Sequence, residues 1–326
     1  MEEGGVASRP VGKMKIAVIG PGAMGCLLAV LLSEANEVLL LDHNRERVFL
    51  LNERGLILEE NGRSRHCLVK VVTEPDYSVG SVELVLLCVK AGGFPAALQT
   101  ARLLCDKNSL ILTLQNGIGH LPSLAKLPDG FDWALGVTSH GATLVGPGHV
   151  LHKGRGLTKI GLSSQFSNRQ DGAGKKLLLV SQTLTAAGIE TEVVDDILNH
   201  VWGKLLVNVG INALTAIHDC PNGALLESDE AHVLMQAAIL EGKEVAEQSG
   251  ILLAEDPLHA AERVCRATAN NISSMLQDVR AEKVTEIDAI NGALVRQGAQ
   301  LGIATPVNIE LVRKIKEIES NYNNFT

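Results

Sequence analysis

"KIAVIGPGAMGCLLAVLLSEANEVLLLD", residues 15–42, decides the fold. An apolar run ends at Gly20, a glycine-rich turn follows, then an apolar stretch of helical character, then a second apolar run closing on Asp42. Strand, turn, helix and strand within about 30 residues make a βαβ unit. Gly20, Gly22 and Gly25 hold the G-x-G-x-x-G spacing where the first strand meets the helix. Glycine there allows a tight turn and lets a pyrophosphate reach the backbone. The helix start offers N–H groups and the positive end of its dipole. Gly20, Gly22, Ala23, Met24 and Gly25 are therefore the expected phosphate cradle. Asp42 stands 22 positions after Gly20, where a carboxylate bonds a ribose diol and disfavours a 2′-phosphate. "DHNRER" adds His43, Arg45 and Arg47 just beyond. Any of the three suits a 2′-phosphate, and the two arginines equally suit a solvated helix face. These residues predict a bound dinucleotide and leave NAD and NADP both open.

Outward from this unit, apolar runs at 67–72, 82–89 and 109–115 read as buried parallel strands. Residues 132–162 are dense in glycine and read as antiparallel strands and turns. A helix over 172–187 and a strand over 189–194 follow. Beyond Asp195 only helices are expected, over 196–217, 230–250, 260–276, 281–302 and 305–322. The predicted class is α/β: a Rossmann-type doubly wound domain (14–194) followed by an all-α domain (195–326), with 1–13 as an extension. The 326 residues suffice for two domains. A net charge of −8 argues against nucleic acid or an anionic membrane as the main partner. No apolar run approaches the roughly 18 residues of a membrane span, and the polar opening has no secretory h-region. Six scattered cysteines without a CxxC pair read as reduced thiols. A cytoplasmic location is the expectation. No HExxH or Cys/His cluster suggests a metal.

"VWGKLLVNVGINAL", residues 201–214, is an apolar helix carrying Lys204, Asn208 and Asn212 at four-residue spacing. Residues so spaced share one face. A buried ammonium or amide without a partner is costly, so this stripe must meet water, a partner or a polar ligand.

"GPGAMG", "VK" at 89–90, "QNGIG" at 115–119, "WGKLLVNVGINALTAI" at 202–217, "CPNG" at 220–223 and "SSMLQDVRAEKVTEIDAINGALVRQG" at 273–298 together resemble ketopantoate reductase (2-dehydropantoate 2-reductase). The resemblance runs in order from about Met14 to the C-terminus. It implies reduction of a keto acid, 2-dehydropantoate, by NAD(P)H. Lys204 matches the catalytic lysine that protonates the ketone oxygen. Asn208, Asn212, Asn222 and Ser274 match substrate contacts, and Glu286 an acid near the nicotinamide ribose and the substrate hydroxyl. Asn116 matches an amide placing both substrate and cofactor. Lys90 matches a lysine on the cofactor side, and Ala142 a backbone contact to the nicotinamide amide. His140, in "SHGA", is left structural because the family uses the lysine as proton donor. The family's arginine for the 2′-phosphate falls here on His43. NADP(H) follows from the resemblance, and NAD(H) from Asp42. Monomer and homodimer both fit. Two other readings share these features: a reductase of another 2-keto acid, and a non-catalytic dinucleotide sensor.

Overall fold

The computed structural model describes residues 13–74, 81–163, 165 and 173–322. The N-terminal extension up to residue 12 and the first residue of the predicted 172–187 helix lie outside them. The chain divides into two compact units. The first comprises Met1–Gln115 and Ser123–Ile197, the second Asn116–Pro122 and Leu198–Thr326. The sequence reading divides the chain once, at 194/195; in the folded chain the short segment 116–122 also belongs with the helices.

The first unit holds twelve described strands: β1 Lys15–Ile19, β2 Glu37–Leu41, β3 Leu56–Glu60, β4 Arg63–Cys67, β5 Lys70–Val72, β6 Leu84–Leu87, β7 Leu110–Thr113, β8 Asp132–Thr138, β9 Gly141–Gly146, β10 His149–Gly154, β11 Thr158–Gly161 and β12 Thr191–Val194. Eight form one sheet in the order β12-β11-β8-β7-β6-β1-β2-β5. All its neighbours are parallel except β11 against β8. Every residue of β6 and of β7 is buried, which is why these strands read as continuous apolar runs with no alternation. β1 lies between β2 and β6, with Ile16 level with Val38 on one side and Leu84 on the other. The chain leaves β1 towards β2 and returns on the other side as β6. That reversal opens a crevice at the C-terminal end of β1, where Gly20 begins the glycine-rich turn.

A second sheet, β4-β3-β10-β9, was not foreseen. β3 and β4 form a hairpin whose turn residues Asn61 and Gly62 both have positive φ (51° and 73°), the Asn-Gly signature of a tight hairpin. β3 then pairs in parallel with β10, Ile57 beside His149. The apolar run 67–72, read as one strand, is split between the end of β4 and β5.

The second unit is helical: Ile197–Ile217 (reaching back into the first unit by one residue), Asp229–Gln248, Pro257–Ala267, Ser274–Arg280, Asn291–Leu301 and Pro306–Ser320. Two predicted helices are shorter than read. The 260–276 stretch breaks after Ala267 and resumes at Ser274, where the Ser273 hydroxyl caps the new start by accepting the Leu276 N–H. The 281–302 stretch is helical only from Asn291. The interior is pinned by two fully buried amides. Asn308 Nδ2 donates to Ala238 O (3.0 Å) and Glu241 Oε2 (2.7 Å), and its Oδ1 accepts from Asn291 Nδ2 (2.9 Å). Asn308→Ala removes three side-chain hydrogen bonds at a fully buried position, leaving Asn291 Nδ2 only its bond to Val209 O and Glu241 Oε2 only the backbone N–H of residue 308, and the urea transition is expected to lose about 2–4 kcal/mol. Among the described residues no helix is long and apolar enough to cross a membrane.

Candidate active site

The first unit contains a cavity of about 630 Å³ lined by Gly20, Gly22, Asp42, Arg47, Lys90 and Leu144 among others. Its floor is the glycine-rich turn. Gly20 has φ +103°, and a Cβ on Gly25 would lie 1.9 Å from the Gly20 carbonyl oxygen. These two glycines let the helix Ala23–Leu32 start directly against the strand end. Gly22 differs, since a Cβ there would meet nothing nearer than Cys88 O at 3.9 Å. Its bareness keeps space open above the backbone. Gly22 is the N-cap, no side chain caps the helix, and no acidic residue occupies its first turn. The N–H groups of that turn and the positive dipole end suit a bound anion. This donor set fits the pyrophosphate of a dinucleotide. Ala23 and Met24 are half-buried in the first turn, Met24 packing against the core.

Asp42 follows β2 and its side chain has no exposed surface. Arg47 closes on it with both arms of the guanidinium: Nε meets Oδ2, and Nη2 donates to Oδ1 at 2.6 Å. His43 is 95% exposed, 3.6 Å from Asp42. Arg45 is exposed and does not line the cavity. Lys90 is exposed at the start of a short 3-10 turn, its carbonyl accepting the Gly93 N–H. Ala142 sits half-buried on β9 opposite His152 of β10. It is not part of the cavity wall; Leu144, two residues on along the same face, is. His140 Nδ1 lies 2.9 Å from His152 Nε2, and His152 Nδ1 lies 2.8 Å from Glu60. Burial holds His140 below the usual imidazole pKa. Thr73 and Leu144 on the cavity wall had no signal in the sequence.

In the second unit the helix Ile197–Ile217 carries the polar stripe. At 1.5 Å per residue, Asn208 and Asn212 stand about 6 and 12 Å along the axis from Lys204. Lys204 and Asn208 are half-buried and Asn212 is buried, whereas Trp202, Leu205, Leu206 and Val209 pack into the core. The protein around the Lys204 ammonium desolvates it and lowers its pKa from 10.5 to about 8; the nearby Glu286 carboxylate opposes that shift. Glu286 lies in a turn before the helix Asn291–Leu301, not on a helix face as predicted. Asn116 Nδ2 donates to Glu286 Oε2 at 3.3 Å, and the Ile118 N–H donates to Ala289 O at 3.2 Å. "QNGIG" and "TEIDAI" are thus brought together across 170 residues. Thr285 anchors the turn through its N–H (2.8 Å) and hydroxyl (2.7 Å), both donated to Glu319. Glu319 reads in sequence as one more charge on a solvated helix.

At the other end of the stripe, the Thr215 and Ser273 hydroxyls are 2.7 Å apart. Ser274 is exposed at the helix start. Asn222 begins a 3-10 turn, and its N–H donates to Asn271 O at 3.0 Å. The Thr268 hydroxyl donates to Val264 O at 2.7 Å, so it meets Asn222 as acceptor and takes the amide NH₂ at 2.9 Å. Asn222 Oδ1 is left buried without a partner among the described residues, an acceptor suited to a ligand hydroxyl. Among the described residues no group of three or more His, Cys, Asp or Glu could hold a metal ion.

Residues 16–165 match the family described as "Ketopantoate reductase PanE/ApbA", and residues 196–319 match "Ketopantoate reductase PanE/ApbA C terminal". A 2-dehydropantoate 2-reductase of Halobacterium salinarum is 36% identical over 90% of this chain and 95% of its own length. A crystal structure of a PanE/ApbA family ketopantoate reductase from Ralstonia eutropha JMP134 superposes with a TM-score of 0.83 at 31% identity, covering 95% of this chain and 99% of that one. A ternary structure of D-mandelate dehydrogenase with NADH and anilino(oxo)acetate gives 0.87 at 30% identity, covering 95% and 100%.

Proposed function

The chain belongs to the ketopantoate reductase family, and on that premise we propose that it reduces the C2 ketone of 2-dehydropantoate to (R)-pantoate with NADPH or NADH. When bound, the reduced dinucleotide supplies the hydride. Gly20, Gly22, Ala23, Met24 and Gly25 would hold its pyrophosphate, Asp42 and Lys90 stand on the cavity wall where its outer parts would lie, and the family resemblance would bring the Ala142 backbone, outside that wall, to the nicotinamide amide. Lys204 gives its Nζ proton to the ketone oxygen as the hydride reaches carbon, so C=O becomes CH–OH with charge balanced. Its remaining positive charge before transfer also stabilises the developing alkoxide. Glu286 and Asn116 hold the lysine end of the site. Asn208, Asn212, Asn222 and Ser274 orient the substrate; the unpartnered Asn222 oxygen suits the C4 hydroxyl, and Ser274 suits the carboxylate.

The observation carrying this reading is the desolvated Lys204 beside Glu286 on a stripe of two amides. A lysine with a pKa of about 8 is charged at neutral pH yet gives up its proton more easily than an ordinary one. A pH dependence follows with a definite sign. The active form is the ammonium, so kcat/KM for reduction is level below about pH 8 and falls about tenfold per pH unit above it. A rate that instead rises across pH 7–9 would remove Lys204 from the proton-donor role.

Initial rates of nicotinamide oxidation with ketopantoate, NADPH and NADH side by side, test the assignment. Turnover with either supports it. Turnover of phenylglyoxylate without turnover of ketopantoate would move the substrate to another 2-keto acid. Cofactor binding with no turnover of any keto acid would leave a sensor. The family supports NADP(H); an acidic residue at the end of the second strand favours NAD(H) by position, but here Arg47 engages both of its oxygens.

A further inference from the structure

A carboxylate at the end of the second strand of a dinucleotide fold normally accepts the ribose hydroxyls and repels a 2′-phosphate. Asp42 holds that position in the cavity wall, but its two oxygens are already engaged. Arg47 Nε binds Oδ2, Arg47 Nη2 binds Oδ1 at 2.6 Å, and the Asn44 N–H adds a third bond to Oδ1 at 3.1 Å. Asp42 is enclosed while the Arg47 side chain is 35% exposed, so the pair shows solvent its cationic member. Both residues line the cavity that holds the glycine-rich turn. The location of Arg47 is set by the backbone. Asn44 caps the helix Arg45–Arg54 and accepts the Arg47 N–H at 2.9 Å, which turns the first helical residues back over the strand end. A guanidinium has five N–H donors, and Asp42 takes two.

We propose that Arg47 is the residue that admits a 2′-phosphorylated dinucleotide to this site. It cancels the charge of Asp42 and directs its remaining N–H groups to the phosphate. Asp42 acts as the anchor of Arg47, and its usual veto against NADP is disarmed. The same cavity therefore takes NADPH and NADH. The inference rests on the reading that this cavity holds the dinucleotide.

The full chain, its Arg47→Gln variant and the Arg47→Gln/Asp42→Asn double variant are titrated calorimetrically with adenosine 2′,5′-bisphosphate and with 5′-AMP. The same proteins are titrated with NADPH and NADH by nicotinamide fluorescence. Wild type is expected to bind the bisphosphate more tightly than 5′-AMP. Arg47→Gln bares the Asp42 carboxylate. It is expected to raise the ratio of Kd for NADPH to Kd for NADH by about 30-fold or more, with the same change between bisphosphate and 5′-AMP. The double variant, lacking the repelling carboxylate, is expected to regain about fivefold or more. NADH binding by each variant serves as the check that its site is folded. An unchanged ratio in Arg47→Gln, with NADH still bound, overturns the inference alone. No regain in the double variant overturns the charge-cancelling role. Failure of wild type to bind any of the four probes overturns the dinucleotide reading, and the inference with it.

Discussion

Lys204→Met is expected to lower kcat/KM for ketone reduction by about 10³-fold or more, while the Kd for reduced dinucleotide stays within about twofold. Two effects combine. The proton donor is lost, and so is the positive charge that meets the alkoxide as it forms. A thousandfold loss corresponds to about 4 kcal/mol of transition-state stabilisation. The cavity at the glycine-rich turn, proposed to hold the dinucleotide, is lined by residues of the first unit, and Lys204 is not among them, hence the small effect on the Kd. Stability should move the other way. The folded pKa of Lys204 lies below its ordinary 10.5, at about 8. The fold therefore disfavours the charge at every pH below about 8, and the penalty fades between about 8 and 10.5. Lys204→Met should melt above wild type at pH 7, and the gap should narrow as pH rises through that window. A variant that loses activity and also melts lower would point to a packing role. Stopped-flow single turnovers with bound NADPH, together with melting curves at pH 7 and pH 9.5, separate the two.

Gly25→Ala is expected to weaken dinucleotide binding by about 100-fold or more and to destabilise the first unit by about 3 kcal/mol or more. The added Cβ would stand 1.9 Å from the Gly20 carbonyl oxygen and 3.1 Å from its carbon. Both are backbone atoms, so no rotamer relieves the overlap. Gly20 itself is fixed by φ +103° and by its N–H, which donates to Leu41 O at 3.0 Å. The helix Ala23–Leu32 must withdraw from the end of β1, and its N–H groups leave the cavity with it. Gly22→Ala separates cradle from fold. Its Cβ has nothing closer than 3.9 Å, so the melting temperature should hold, while the methyl group fills the open space where the pyrophosphate is proposed to lie. Expected is a loss in affinity of about tenfold or more with little change in stability. Thermal melts and fluorescence titration of both variants give the comparison. Equal effects of the two on stability would mean that the clash at Gly25 is absorbed elsewhere.

Much of the candidate site is legible in the sequence because its signals are local. Gly20, Gly22 and Gly25 need only a strand before them and a helix after them. Lys204, Asn208 and Asn212 share a face by helical period alone. Other features escaped for nameable reasons. "AEKVTEIDAI" has good helix formers, and propensity is a weak prior. Thr285 gives two hydrogen bonds to Glu319, 34 residues away, and these hold the stretch as a turn that carries Glu286. The β3–β4 hairpin carried an Asn-Gly signal, but its pairing with β10 spans some ninety residues, beyond any local pattern.

Local pattern was enough for the βαβ start with its glycine-rich turn, the change to helices near 195, and the placing of Lys204, Asn208 and Asn212 on one helix face. Each depends on periodicity or on the steric freedom of glycine, which act over a few residues. Tertiary structure alone decided three further matters. It joined Asn116 to Glu286 across 170 residues. It turned Asn222 so that its oxygen is left open, through a bond to Thr268. It folded Arg47 onto Asp42, so that a carboxylate whose position suggested NAD stands neutralised in the cavity wall. The physical reason is common to all three. The charge and hydrogen-bonding capacity of a side chain are written in its identity, but how much remains for a ligand depends on which neighbours have already claimed it, and those neighbours are assembled only by folding.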